Sequence, residues 1–502
     1  MATMSVELSY STAKPSFKTA WWTPRLAGPI IVGGVVRLGL LAVALARTGT
    51  SSLTQPDTSS YLIPGCNLLL HGSFVADGVP DLFRTPAYPI FLAITSLAGL
   101  TAATVANVIL SLLTILLVWK LGRAVFSDGR IALGAAWIFA FEPISVIFSI
   151  SLISETLFIV LFLLSMERMA EFLRGHSLRV LAVAGLWLAA ATFVRPITYY
   201  LPVALALGLF LVLARVPVLS PQQQTVAWDP GLRWKAPAVL LISFLPWIAA
   251  WQIRNWVETG FHGFSSAGEV FYYTYTGPGI TAQVEHRLFS DVHKELGHID
   301  FTNQSGQVYL FQAYLDRHPE QAGWNQTQRI AFIHDEAART IRAHFGIYLR
   351  SRFPALFKML FFPGTGYFDR MMYPINTRQT AGLIDQGPAR WWIVLAKSYP
   401  RVAAEKAVFS VVLLGLYMFA AWGLFLAARG VFRGALNNAC LWLMLGTSLY
   451  FLAVSVAMVG PEVEVRYRLP FMPFICIFAA AGFIEGRRRT IHDRERLVPQ
   501  VA

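Results

Sequence analysis

Apolar runs separated by short polar connections set the plan of this chain. Ten of them, at 27–47, 101–120, 131–150, 152–168, 178–194, 197–215, 236–252, 405–428, 437–458 and 469–484, are near the length a helix needs to cross a hydrocarbon core. The pattern predicts an all-α polytopic membrane protein, a bundle of about ten transmembrane helices. The run "AYPIFLAITSLAG" (87–99) is apolar but too short to cross, and predicts a re-entrant or interfacial helix packed on protein. Two connections are long, 48–86 and 253–404. The second is polar over about 281–344 and returns to apolar and aromatic material in "FPALFKMLFFPG", which predicts helices lying along the membrane surface. The first 25 residues hold no apolar core, so no cleavable signal peptide is expected there. The chain shows no internal repeat of the kind that marks many transporters.

Charge then orients the spans. Of the 502 residues, 55% are hydrophobic and only 14% charged, against roughly 25% charged in ordinary globular chains. The net charge of +13 suggests nucleic acid until its distribution is read. Lys14, Lys18 and Arg25 precede the first span, and Lys120, Arg123 and Arg130 follow the second. Arg168, Arg174 and Arg179 fall after the fourth, Arg215, Arg233 and Lys235 after the sixth, Arg429 and Arg433 after the eighth, and Arg487–Arg489 after the tenth. Every second connection is basic, as the positive-inside rule requires. The charge is therefore topological, no nucleic-acid partner is expected, and membrane lipid is the surroundings. The layout becomes a cytoplasmic tail (1–26), an N-terminal membrane module (27–252) with its first outer loop at 48–86, an outer-face region (253–404), C-terminal membrane helices (405–484) and a second cytoplasmic tail (485–502). In a bacterium the location would be the inner membrane.

Charges at membrane depth are costly and mark candidate sites. Asp57 and Arg84 lie in the first outer loop, Glu155 opens the fourth span, Arg195 ends the fifth and Arg254 the seventh. Glu462, Glu464, Arg466 and Arg468 crowd the last outer turn, "GPEVEVRYRLP", where arginines break the inside bias. All are expected at one face and one depth. If 464–468 is extended, Glu464, Arg466 and Arg468 share a side, with the acid holding Arg466. Plainer roles compete: Asp57 in "QPDTSSY" fits a helix cap, Arg84, Arg195 and Arg254 fit headgroup anchors, and Glu142 beside Pro143 has Arg37 as a partner. The aromatic run "FYYTY" (271–275) fits an interfacial belt. Seven of the ten histidines lie in 253–404 without a metal-ligand spacing, so no metal site is assigned. Asn303 and Asn325 open matches to the glycan-acceptor pattern.

Acids and arginines at a membrane interface suit displacement at a sugar joined to a lipid phosphate. A carboxylate takes the proton of the attacking hydroxyl, and arginine forks stabilise the departing phosphate. The stretches "DTSSYLIPGCNLLLHGSF" (57–74), "LFRTPAYPIFLA" (82–93), "SLISETLF" (151–158), "FVRP" (193–196), "PWIAAWQIRN" (246–255) and "EVRYRLPFMP" (464–473) occur in order along nearly the whole chain. Together they resemble the GT-C superfamily of membrane glycosyltransferases, in the group of dolichyl-phosphate-mannose protein mannosyltransferases and lipid A aminoarabinose transferases. The resemblance implies a GT-C-like bundle and an inverting transfer of sugar from a polyprenyl-phosphate-linked donor to a lipid, glycan or protein acceptor on the non-cytoplasmic face. It implies Asp57 and Glu155 as catalytic acids, with the base open between them, and Arg84, Arg195, Arg254 and Arg466 around the donor phosphate. Tyr61, Tyr88, Glu464, Tyr467 and Arg468 take supporting roles. No cofactor is assigned, and the family leaves a divalent cation open. Two departures stand out: Ala87 replaces the glycine of R-T-P-G-Y-P, and Pro64-Gly65 is expected to interrupt the first-loop helix. The competing class is a non-enzymatic transporter or flippase of lipid-linked saccharides, disfavoured by the one-sided charge and the missing repeat.

Overall fold

The structure is a computed structural model and describes residues 23–76, 78–126, 128–215, 231–295, 318–372, 388–429, 438–460 and 464–497. Glu462 and the Asn303 acceptor pattern lie outside the described residues. Among the described residues the chain is helical except for a two-residue antiparallel hairpin, β1 (Val75–Ala76) with β2 (Val79–Pro80), which pairs Val75 with Pro80.

The N-terminal helices are α1 (Ala27–Thr48), α2 (Thr58–His71), α3 (Ala87–Ser96), α4 (Leu100–Val125), α5 (Gly129–Ala140), α6 (Pro143–Ser149), α7 (Glu155–Gly175), α8 (Leu178–Val194), α9 (Leu201–Arg215) and α10 (Leu232–Thr259). After α10 come α11 (Ala267–Phe271), a π-helical turn (Tyr272–Thr276), α12 (Gly277–Val284), α13 (Phe289–Glu295), α14 (Gln326–Ala343), α15 (Phe345–Phe361), α16 (Gly366–Met372) and α17 (Pro388–Ser398). Then α18 (Pro400–Ala428), α19 (Asn438–Val459), a 3-10 turn (Val465–Phe471) and α20 (Met472–Leu497) complete the bundle.

Among the described residues seven helices are long and apolar enough to cross a membrane, and α5 with α6 form a pair bent by 57° that passes the same length and composition requirement only when taken together. The other two expected spans are α7 and α8. α8 is only 17 residues long, and α7 carries Glu155, Glu167, Arg168, Glu171 and Arg174. α7 tolerates those charges because it runs through the interior: Phe158, Phe162, Leu163 and Met166 are all at most 1% exposed. Phe162 meets Phe451 of α19 edge-on at 5.1 Å and Phe474 of α20 at 6.0 Å. The all-α polytopic membrane fold is as the apolar pattern predicts.

The bend between α5 and α6 has a local cause. Proline cannot donate a backbone hydrogen bond, so Pro143 starts a new helix, and the Glu142 carboxylate caps it by accepting from Ile144 N at 3.3 Å and Ser145 N at 2.6 Å. This corrects the expected pair with Arg37. That arginine is fully buried and donates instead to Ser111 Oγ (2.8 Å), Ala140 O (2.9 Å) and Gly33 O (3.1 Å).

Pro64-Gly65 does not interrupt the first-loop helix, because α2 continues through both residues. Glycine is needed there for another reason: a Cβ on Gly65 would lie 2.2 Å from the Pro89 carbonyl oxygen. α2 and α3 thus touch backbone to backbone, which holds the short, non-spanning α3 against the loop that bears Asp57. Asn325 serves as the N-cap of α14, in a capping box with Gln328.

Candidate functional site

Asp57, Arg84, Glu155, Arg195, Glu464, Arg466 and Tyr467, all singled out from the sequence, converge where the ends of α1, α8 and α19 meet the starts of α2, α7 and α20. Asp57 stands at the N-cap position of α2 but makes no cap hydrogen bond. Its carboxylate faces the bundle: Oδ1 accepts from Arg84 Nη2 at 3.1 Å and Oδ2 from Arg466 Nη1 at 2.7 Å. The cap reading therefore gives way to an ion-pair bridge between two arginines. Arg195, the residue that ends α8, pairs with Glu155, the first residue of α7. Arg466 Nε lies 2.7 Å from Glu464 Oε2 and 3.7 Å from Glu155 Oε1. Tyr467 stands beside both arginines, 5.8 Å from the Arg195 guanidinium carbon and 5.7 Å from that of Arg466.

Arg84 is fully engaged in this arrangement. Its Nε donates to Ser60 Oγ (2.9 Å) and its Nη1 to Tyr61 Oη (2.8 Å). The guanidinium lies between the rings of Tyr61 (4.0 Å) and Phe83 (4.6 Å). Tyr61 in turn shares a hydrogen bond with Ser154 Oγ at 3.1 Å and meets Tyr88 edge-on at 4.8 Å. Arg84 so placed orients Asp57. Arg195 and Arg466 are instead turned to a crevice of about 10 Å³, room for roughly one water. Glu155 and Tyr467 share its polar side, while Phe158, Ile159, Ile197, Leu469 and Pro470 line its apolar side.

Two assignments are not gathered into the cluster. Arg254 pairs with Glu258 at 2.7 Å and donates to Phe74 O at 3.0 Å and Asp81 O at 3.4 Å, with Trp251 under its guanidinium at 4.9 Å. It braces the segment between α2 and α3. Arg468, 1% exposed, donates to the carbonyls of Phe362 (2.6 Å), Met359 and Leu360 (both 3.3 Å) and Pro363 (3.5 Å). The expectation of an extended 464–468 segment is corrected here. Residues 465–471 form a 3-10 turn, in which positions two apart diverge by about 240° rather than aligning. Arg466 and Arg468 therefore point to different places, while the Glu464–Arg466 pair survives.

Electrostatics sharpen the roles. Burial alone would raise the Asp57 carboxyl, but Arg466 and Arg84 outweigh it and hold the group well below the usual carboxylate range. Asp57 is thus ionised at every physiological pH. Sequence reasoning missed Asp81, whose Oδ1 accepts from Phe83 N (2.7 Å) and Arg84 N (2.9 Å) and so fixes the backbone that carries Arg84. Its Oδ2 is buried without a hydrogen-bond partner, and burial pushes this carboxyl up to about 6 despite those two amides and the nearby Arg84 and Arg254. An unfolded aspartate titrates near 3.9. Between about pH 4 and pH 6 the folded chain keeps a proton that the unfolded chain has lost, so stability falls as pH rises through that window, by on the order of 1–3 kcal/mol. Asp81→Asn is expected to remove this component. Thermal unfolding of wild type and variant in detergent at pH 4.5 and pH 7.5 checks it, and equal slopes would refute it.

Residues 86–250 match the family model described as dolichyl-phosphate-mannose-protein mannosyltransferase. A search of curated proteins finds no match. Among solved structures, the apo oligosaccharyltransferase of Archaeoglobus fulgidus aligns at 12% identity and TM-score 0.49, covering 96% of this chain and 52% of that one. The chain spans about half the length of the archaeal oligosaccharyltransferases it matches, the one in complex with an inhibitory peptide and a dolichol-phosphate included (53% of that chain, 12% identity, TM-score 0.45). ArnT from Cupriavidus metallidurans bound to undecaprenyl phosphate aligns at 12% identity and TM-score 0.36, covering 91% of this chain and 78% of that one. Over residues 86–250 the chain carries the pattern of the dolichyl-phosphate-mannose-protein mannosyltransferase family, and the resemblance to GT-C membrane glycosyltransferases read from its motifs stands.

Proposed function

We propose that this membrane protein transfers a sugar from a polyprenyl-phosphate-linked donor to an acceptor hydroxyl on the non-cytoplasmic face, with inversion at the anomeric carbon. The observation that carries the reading is the convergence of Arg195 and Arg466 at one end of the bundle, beside the Asp57 carboxylate. Two arginines suit a phosphate, and the apolar residues next to them, Phe158, Ile159 and Leu469, suit the start of a prenyl chain. The acceptor oxygen attacks the anomeric carbon as the bond to the phosphate oxygen breaks. The electron pair leaves with the phosphate, and the acceptor proton goes to a carboxylate.

Asp57 is the proton acceptor in this reading, being 17% exposed where Glu155 is 3% exposed and occupied by Arg195. In the resting site Asp57 is a weak base because two arginines neutralise it. A phosphate that draws Arg466 toward itself leaves Asp57 with Arg84 alone, and its proton affinity rises when it is needed. Glu155 keeps Arg195 charged and in place.

Proteoliposomes containing radiolabelled prenyl-phosphate sugar test this. Transfer of label to an acceptor, reduced about a hundredfold or more in Arg466→Ala, is the expected result. Movement of label across the bilayer without transfer would make the protein a carrier of lipid-linked sugars instead, and full turnover by Arg466→Ala would remove that arginine from the site.

A further inference from the structure

The segment 362–369 reaches the charge cluster through one side chain that no motif marked. Tyr367 Oη donates to Glu464 Oε2 at 2.8 Å. The same oxygen lies 2.7 Å from Arg466 Nε, and Arg466 Nη1 donates to Asp57 Oδ2 at 2.7 Å. A single line of polar contacts therefore runs from α16 through the last turn to the first loop.

Tyr367 is itself held from three directions. Its ring lies 4.7 Å from that of Phe148 in α6. Lys406 of α18 donates to Asp369 Oδ2 at 2.6 Å and to Thr365 Oγ1, a buried anchor one turn away. Arg468 binds the Phe362 carbonyl at the start of the segment. Burial keeps the phenol protonated by raising it well above its ordinary value. By contrast, the Glu464 side chain is 45% exposed. An exposed glutamate otherwise samples several rotamers and exchanges its partner with water, so fixing it costs side-chain entropy. Arg466 also has a rival carboxylate, because Glu155 Oε1 lies only 3.7 Å from its Nε.

Resting on the functional reading above, we propose that Tyr367 is a positioning residue that acts through Glu464. It fixes the carboxylate, the carboxylate occupies the Nε edge of Arg466, and the terminal nitrogens of that arginine are thereby aimed at Asp57 and the crevice.

The full chain in detergent tests this, with undecaprenyl phosphate as probe and tryptophan fluorescence as readout. Tyr367→Phe keeps the ring on Phe148, and Glu464→Gln keeps the shape of the glutamate. Each is expected to weaken undecaprenyl phosphate binding about tenfold. The double variant should be no weaker than Glu464→Gln alone, and binding of undecaprenol, which lacks the phosphate, should not change. In a transfer assay KM for the donor rises more than kcat falls. Unchanged binding in Tyr367→Phe, or additive losses in the double variant, overturns the proposal.

Wild type that binds no phosphate lipid would overturn the functional reading instead. Positioning is then decided by thermal unfolding. Tyr367→Phe and Arg466→Lys are expected to show coupling that disappears in the Glu464→Gln background, and coupling that persists there, or none at all, refutes the role assigned to Tyr367.

Discussion

Asp57→Asn is expected to lower sugar transfer by about 10²–10⁴ while binding of the donor lipid stays equal or becomes tighter. The two halves of this expectation have one origin. Asp57 competes with an incoming phosphate for Arg466, so removing its charge frees the arginine at the same moment that it removes the proton acceptor. Asparagine keeps an oxygen for Arg84 Nη2, and Arg466 retains Glu464, so the loop is expected to hold its place. The measurement is a donor titration of initial transfer rate beside equilibrium binding of undecaprenyl phosphate. Undiminished turnover removes Asp57 as the base. Loss of lipid binding with the same loss of turnover makes Asp57 a binding residue.

The largest expected effect on stability lies away from the site, where α18 packs on α20. A Cβ on Gly423 would stand 2.0 Å from the Phe478 carbonyl oxygen, and one on Gly482 would stand 2.1 Å from that of Phe419. Small residues let membrane helices approach to backbone distance, and here neither side has a flexible side chain that can yield. Gly423→Leu is expected to cost more than the roughly 1–3 kcal/mol typical of overpacking and to lower the unfolding temperature by at least about 5 °C. Gly446→Leu in α19, where a Cβ meets nothing within 4 Å, is the control. A Gly423→Leu protein as stable as that control would mean that the two helices do not meet in this way.

What the amino-acid pattern revealed and what it hid follow from range. Span length depends on local hydropathy, so the all-α membrane bundle was legible, with each of the ten apolar runs falling on helix, α7 included despite its five charges. Motif order placed Asp57, Glu155, Arg195 and Arg466 at a common depth, and the fold joins them. Partner choice was not legible, because an arginine reaches several ångströms and depth alone does not select its acceptor. Hence Arg254 was grouped with residues it does not touch, and Glu142 was given to Arg37 when its own helix start needed it. The last turn was misread for a different reason. Alternation along "EVRYR" suits an extended strand, yet Pro470 and the start of α20 wind it into a 3-10 turn. Tyr367 and Asp81 carried no signal at all, since each acts through a contact with residues distant in sequence or with backbone amides.

The ion pairs of the site carry a last implication. Three arginines (Arg84, Arg195 and Arg466) face three carboxylates (Asp57, Glu155 and Glu464), so the resting cluster is electrically self-contained. Such a site exerts little long-range pull on an anion in the surrounding solution. A lipid-borne phosphate has less need of that pull, because its tail already confines it to the plane of the bilayer and it meets the arginines by lateral diffusion. Under the proposed function, selection falls to exchange at contact: an anion delivered at the right depth displaces a carboxylate, and soluble phosphates find no unbalanced charge to join.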